Sequence, residues 1–262
     1  MFPQGHAGAG VTKSGAGPVP PPMPNCRETT PTAVTHKETT AMPSALILGA
    51  SRGLGLGLAR EFASRGWSVT GTVRKDADRA GLEAAGAHAL LCDITDPAAV
   101  AALHGQVGPG LDLLFINAGV SGPDHQDAAE ATAAEAGMLF LTNAIAPVQA
   151  ARALMDRLAP DGMLAFMTSR MGSVEGNTRG DMELYRASKA ALNSMTRSLA
   201  AKLDHPRTVL SLHPGWVQTD MGGQGADLDV PTSVRGLADV IIAHRGKPGS
   251  AFLDYSGAEL PW

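Results

Sequence analysis

From Ala45 onward, short apolar runs alternate with stretches of helical periodicity, and this alternation limits the fold more than any other feature of the chain. Residues 45–48 (ALIL) read as a buried strand running into glycines, and 54–65 follow with apolar side chains at helical spacing. Further strands are expected at 67–73, 87–92, 111–116, 163–167 and 209–212, with a short closing one at 251–253. Helices are expected between them at 76–85, after Asp96-Pro97 (an N-cap followed by Pro at N1), at 134–158 with a kink at Pro147, at 183–203 and at 231–244. Strict alternation implies right-handed crossovers and a sheet covered on both faces. The expected fold is therefore α/β: a doubly wound, Rossmann-like parallel sheet of about seven strands, in a single domain over 43–262. Ligands of such sheets bind beyond the strand C-termini.

The first 42 residues differ from the rest. They are rich in Pro, Gly and Thr (PVPPPMP, ETTPTAVTHKETT) and nearly devoid of large apolar side chains. Such a segment buries too little surface to offset its ordering entropy, so a disordered extension is expected. It has no apolar h-region of a signal peptide and little of the arginine of a transit peptide. A second reading, that synthesis begins at Met42 directly before the first strand, stays open.

A net charge of −4 speaks against a nucleic-acid partner held by bulk charge, and no run of 18 apolar residues suggests a membrane span. The two cysteines, Cys26 and Cys92, are far apart and lack metal-ligand spacing, so no metal is expected. That usage suits a reducing compartment, and a cytoplasmic location is expected.

Chemistry concentrates at the strand ends. The first strand leads into Gly49, Ala50, Ser51, Arg52, Gly53, Leu54 and Gly55, a G-x-x-x-G-x-G turn at which backbone would approach a pyrophosphate at a helix N-terminus. A site for NAD(H) would place an acid at the end of the second strand, but the sequence there is Thr72-Val73-Arg74-Lys75. Two cations suit a 2′-phosphate, with Arg52 able to join them, so NADP(H) is expected over NAD(H). Asp93, with Ile94 beside it, would meet the adenine edge.

Tyr185-x-x-x-Lys189 opens a helix, so the two side chains share one face. A free tyrosine has a pKa of about 10, and a neighbouring ammonium is expected to lower it toward working range. Spacing alone is weak, and the weight comes from company. Ser169 ends the fifth strand, Asn117-Ala118-Gly119 the fourth, and Pro214-Gly215 the sixth, with Thr219 soon after. Asn143 falls inside a helix, where an amide helps only by serving backbone or water.

In that order these motifs resemble the short-chain dehydrogenase/reductase family, over essentially all of 45–262. The stretch G-S-V-E-G-N-T-R-G from Gly172 and the terminal G-A-E-L-P-W resemble its C-factor and sniffer-like carbonyl reductase branch. The resemblance implies an enzyme that interconverts a carbonyl and an alcohol by hydride transfer. Tyr185 would be the acid/base, Lys189 its activator and ribose ligand, and Ser169 the polariser of the substrate carbonyl. Asn143 would hold a relay water, Asn117 would support the strand end, and Pro214, Gly215, Val217 and Thr219 would border the nicotinamide. Ser169 and Tyr185 lie 16 positions apart, wider than is usual in the family, with Ser173 as the fallback. A dinucleotide-sensing or signalling protein with little turnover is the competing class. The expected partner is a small carbonyl or alcohol, and small residues on the Tyr185 helix would allow a homodimer or homotetramer, although the same residues suit packing on the sheet.

Overall fold

A strand covered on both faces must be apolar at successive positions, and residues 45–48 are each at most 1% exposed. The computed structural model describes residues 42–262. The extension expected over 1–42 lies outside these, Met42 excepted. Strands β1 (Ser44–Leu48), β2 (Ser68–Val73), β3 (His88–Leu91), β4 (Leu111–Ile116), β5 (Leu158–Met167), β6 (Thr208–His213) and β7 (Gly249–Asp254) alternate with helices. The helices are α1 (Gly53–Ser64), α2 (Arg79–Glu83), α3 (Pro97–Gln106), α4 (Ala133–Phe140), α5 (Ala146–Ala153), α6 (Glu183–Ala200) and α7 (Val230–Ala243). All seven strands run parallel in the order β3-β2-β1-β4-β5-β6-β7, the doubly wound sheet expected from the alternation.

Strand periodicity sorts the core into two layers. Ala45 and Ile47 face Leu58 and Phe62 of α1 and Leu237 and Ile241 of α7. Leu46 and Leu48 face Leu103 of α3, Ala150 of α5 and Leu192 of α6. Each large side chain buried this way contributes about 1.5–3 kcal/mol. The chain leaves β1 toward β2 on one side and returns across the sheet to β4 on the other. This reversal opens a crevice at the C-terminal ends of β1 and β4. Asp96 caps α3 by accepting from the Ala98 N–H at 2.9 Å, with Pro97 in the first turn, as the sequence suggested.

The helix expected over 134–158 is broken. It runs as α4, a π turn at Leu141–Ile145, α5, and a 3-10 turn at Met155–Arg157, and β5 starts at Leu158 rather than at 163. Pro147 supplies the reason, since it offers no N–H to the carbonyl of Asn143 four residues earlier. The backbone accommodates this with one wider turn just ahead of the proline. Among the described residues no helix is long and apolar enough to cross a membrane.

Candidate active site

The end of β1 is shaped by close approach. Gly49 has a φ of 88°, a left-handed conformation that suits glycine, and its N–H donates to Thr72 Oγ1 at 3.0 Å. Asn117, at the end of β4, donates from Nδ2 to the Gly49 carbonyl at 2.6 Å. One side chain thus ties the two strand ends at the reversal point. The α1 N-terminus abuts this tie, and a cleft of about 560 Å³ opens above it.

Gly49, Ser51, Arg52, Gly53 and Leu54 form one wall of the cleft, and Arg74, Asp93 and Ile94 extend it toward β2 and β3. Asn117, Ala118, Gly119, Pro214, Thr219, Tyr185 and Lys189 line the remainder. Gly55, Gly215, Val217, Asn143 and Ser169 do not reach its surface. Gly55 is pressed against the Gly49 carbonyl, Gly215 lies under Leu228 and Tyr255, and Val217 is buried in a bridge to Leu228. Those three shape the wall from behind. Sequence reasoning missed Val120, Met138, Thr142 and Asp220, all of which line the cleft. Met138 and Thr142, four apart, share a helical face that spacing would have revealed; Asp220 carries no such signal.

Burial pulls the Asp93 carboxyl upward, but the Thr95 N–H and hydroxyl, at 2.9 and 2.7 Å, and the charge of Arg74 hold it below the usual carboxylate range. Arg74 and Lys75 are exposed. Arg52, expected beside them, instead pairs with the Asp220 carboxylate across the cleft mouth.

Lys189 is 4% exposed, and its Nζ donates to the Met167 carbonyl at 3.1 Å and lies 5.8 Å from the centre of the Tyr185 ring. Burial brings the ammonium down to about 8. Burial also pushes the Tyr185 phenol up to about 12, with the Ser169 hydroxyl acting against the shift by hydrogen bonding. The expected lowering of the phenol by its lysine neighbour is therefore corrected. Both groups are desolvated in the same place, and each moves toward its neutral form.

Ser169 opens a 3-10 turn, Arg170–Gly172, and its Oγ accepts from the Met171 N–H at 3.1 Å. Ser173, the fallback, is engaged elsewhere: its Oγ donates to the Trp262 carbonyl at 3.5 Å and accepts from the Gly176 N–H at 2.8 Å. Asn143 sits fully buried in the π turn. Its amide clasps Val120, accepting from that N–H and donating to that carbonyl at 2.8 Å each, and also donates to Ser188 Oγ at 3.0 Å. The backbone-serving reading of this amide is the one the geometry displays.

His213 is 5% exposed and accepts at Nε2 from Arg170 Nε at 3.1 Å, while its Nδ1 finds no partner among the described residues. Burial, then the Arg170 charge, bring it down to about 4, against the opposing pull of Asp254. The unfolded chain takes up this proton near pH 6.5, so stability falls as pH drops from about 6.5 to 4. Thermal midpoints of the wild type should decline more steeply across that window than those of His213→Gln; parallel curves would refute the assignment.

Together the sheet reversal, the glycine wall and the Tyr–Lys face define a dinucleotide-dependent oxidoreductase of the doubly wound class. The chain belongs to the short-chain dehydrogenase/reductase family, whose model, described as short chain dehydrogenase, matches residues 43–227. It is 44% identical over 167 residues to the C-signal of Myxococcus xanthus, covering 59% of this chain and 94% of that protein. A short-chain dehydrogenase/reductase from Burkholderia multivorans with bound NADP superposes with a TM-score of 0.82 at 40% identity, over 85% of this chain and all of the other. A carbonyl reductase from Pseudomonas aeruginosa PAO1 in complex with NADP gives 0.79 at 42% identity, with the same coverage. These likenesses agree with the branch expected from the sequence.

Proposed function

We propose that this protein reduces small carbonyl compounds to alcohols, and runs the reverse reaction, with NADP(H) as cofactor and Tyr185 as acid/base. The observation that carries the reading is that Tyr185 and Lys189 line the same cleft as the glycine turn and Arg74. The residues fit the dinucleotide, since the Gly49 turn leaves backbone beside the α1 N-terminus for a pyrophosphate and the Arg74 guanidinium on the cleft wall suits a 2′-phosphate. When bound, the nicotinamide supplies or accepts the hydride.

Every other role falls to the chain. Tyr185 delivers a proton to the substrate oxygen, and a phenol near 12 is fully protonated at neutral pH, as an acid must be. Ser169, whose hydroxyl bonds to the Tyr185 phenol, would polarise the carbonyl once the substrate is seated against that phenol. Lys189 holds the ribose and restores the phenol proton, and Asn143 fixes the Val120 backbone beside it. Val120, Met138, Thr142 and Met221 give the cleft an uncharged side suited to apolar aldehydes and ketones. The same reading includes a cytoplasmic location and self-association, with Ala187 and Ser194 exposed on α6 for close packing.

The test is NADPH oxidation against a panel of aldehydes, ketones and diketones. A second reading, a dinucleotide-holding signal protein, draws on the C-signal likeness; tight NADPH binding without turnover on any panel member would favour it. For cofactor choice, Arg74→Ala should raise the Michaelis constant for NADPH about tenfold, the worth of one charge-assisted hydrogen bond, and leave that for NADH unchanged. Equal wild-type constants for the two cofactors would remove the preference.

A further inference from the structure

Among the described residues only two that are not glycine adopt a left-handed backbone, Gln126 with φ 57° and Met182 with φ 56°, and both stand at the start of α6. The first N–H groups of a helix have no partner within it. Met182, the N-cap of α6, provides no side-chain acceptor. The acceptors come from Gln126 instead, in the loop between β4 and α4. Its carbonyl accepts from the Leu184 N–H at 3.4 Å, and its Oε1 accepts from the Tyr185 N–H at 3.0 Å.

Gln126 is itself held rigidly. It is 8% exposed, and its Nε2 donates to the Ser121 and Pro123 carbonyls at 2.8 and 2.6 Å. Glu183 returns the contact, its Oε2 accepting from the Ala128 N–H at 2.9 Å. The Ser121 carbonyl follows Val120, the residue clasped by Asn143. One buried amide therefore links the loop that lines the cleft to the backbone nitrogen of Tyr185. A left-handed glutamine persists only where its surroundings over-determine it, and such residues gather at functional sites.

We propose that Gln126 is a positioning residue for the reaction: its side-chain amide sets the Tyr185 backbone, and through it the reach of the phenol to the substrate carbonyl. This rests on the role proposed for Tyr185. Loss of the amide removes the acceptor without touching the phenol, the glycine turn or Arg74.

Two full-length variants separate positioning from folding. Gln126→Gly suits the left-handed backbone and keeps the carbonyl bond to Leu184, whereas Gln126→Met keeps the buried volume at the same strained φ. Their thermal midpoints should differ, but both should lose about tenfold in kcat, the scale of one misplaced proton donor, with the Michaelis constant for NADPH unchanged. Amide hydrogen exchange at Tyr185 should quicken in both, a readout that does not depend on turnover. The proposal is overturned if Tyr185 exchange stays at the wild-type rate, or if kcat follows the order of the midpoints. A wild type that turns over no carbonyl would defeat the proposed activity instead, while the exchange result would still decide whether Gln126 positions Tyr185.

Discussion

Replacing Tyr185 by phenylalanine will lower kcat for NADPH-dependent carbonyl reduction by at least about a hundredfold, the range of a lost general acid, while NADPH affinity stays at the wild-type value. The ring and its packing remain, so only the hydroxyl is tested. With the phenol pushed up to about 12, its proton is present throughout the neutral range, as the proposed role in reduction requires. Alcohol oxidation needs the phenolate, so its rate should climb with pH well past neutrality. Stopped-flow NADPH oxidation with a reactive diketone, repeated for the variant, measures the first effect; steady-state oxidation from pH 7 to 10 measures the second. Comparable kcat in the wild type and Tyr185→Phe would show that another group or water delivers the proton.

The position of that phenol also shows where sequence reading stops. The Tyr185–Lys189 face follows from helical spacing, and the structure places both residues in one cleft. The protonation behaviour did not follow, because the sequence names the charged neighbour but not the depth of burial, and burial dominates both shifts. Alternation of apolar runs was enough for the sheet, since parallel strands covered on both faces leave an unmistakable apolar signature. Continuous Ala-rich periodicity hid the π turn around Asn143, whose only local sign was Pro147. The Arg52–Asp220 pair joins residues 168 positions apart, and Gln126 reaches Tyr185 across 59. Neither belongs to a motif, and each arises because the sheet brings separate loops to one edge. The legible part of this chain is what local periodicity and short motifs encode.

Adding one methyl group at Gly55 will cost more stability than deleting most surface side chains. A Cβ there would land on the Gly49 carbonyl oxygen and come within 2.6 Å of Asn117 Nδ2, the two groups that tie β1 to β4. Backbone and a hydrogen-bonded amide have nowhere to go, so α1 must tilt away from the strand end. Overpacking of this kind costs about 3 kcal/mol, the upper end of its usual range, and it widens the approach at the α1 N-terminus, where the proposed pyrophosphate site lies. Gly55→Ala is therefore expected to unfold at lower denaturant with an unchanged slope, and to bind NADPH at least about tenfold more weakly, one lost charge-assisted contact. Gly105→Ala supplies the control. That glycine lies within α3, and a Cβ there meets nothing within 4 Å. The helix should gain about 0.5–1 kcal/mol from the same substitution. Opposite signs for two identical substitutions would place the constraint in the close approach at Gly55. Equal small effects would mean that the Gly49 carbonyl yields, and that the glycine turn is not the rigid cradle its contacts describe.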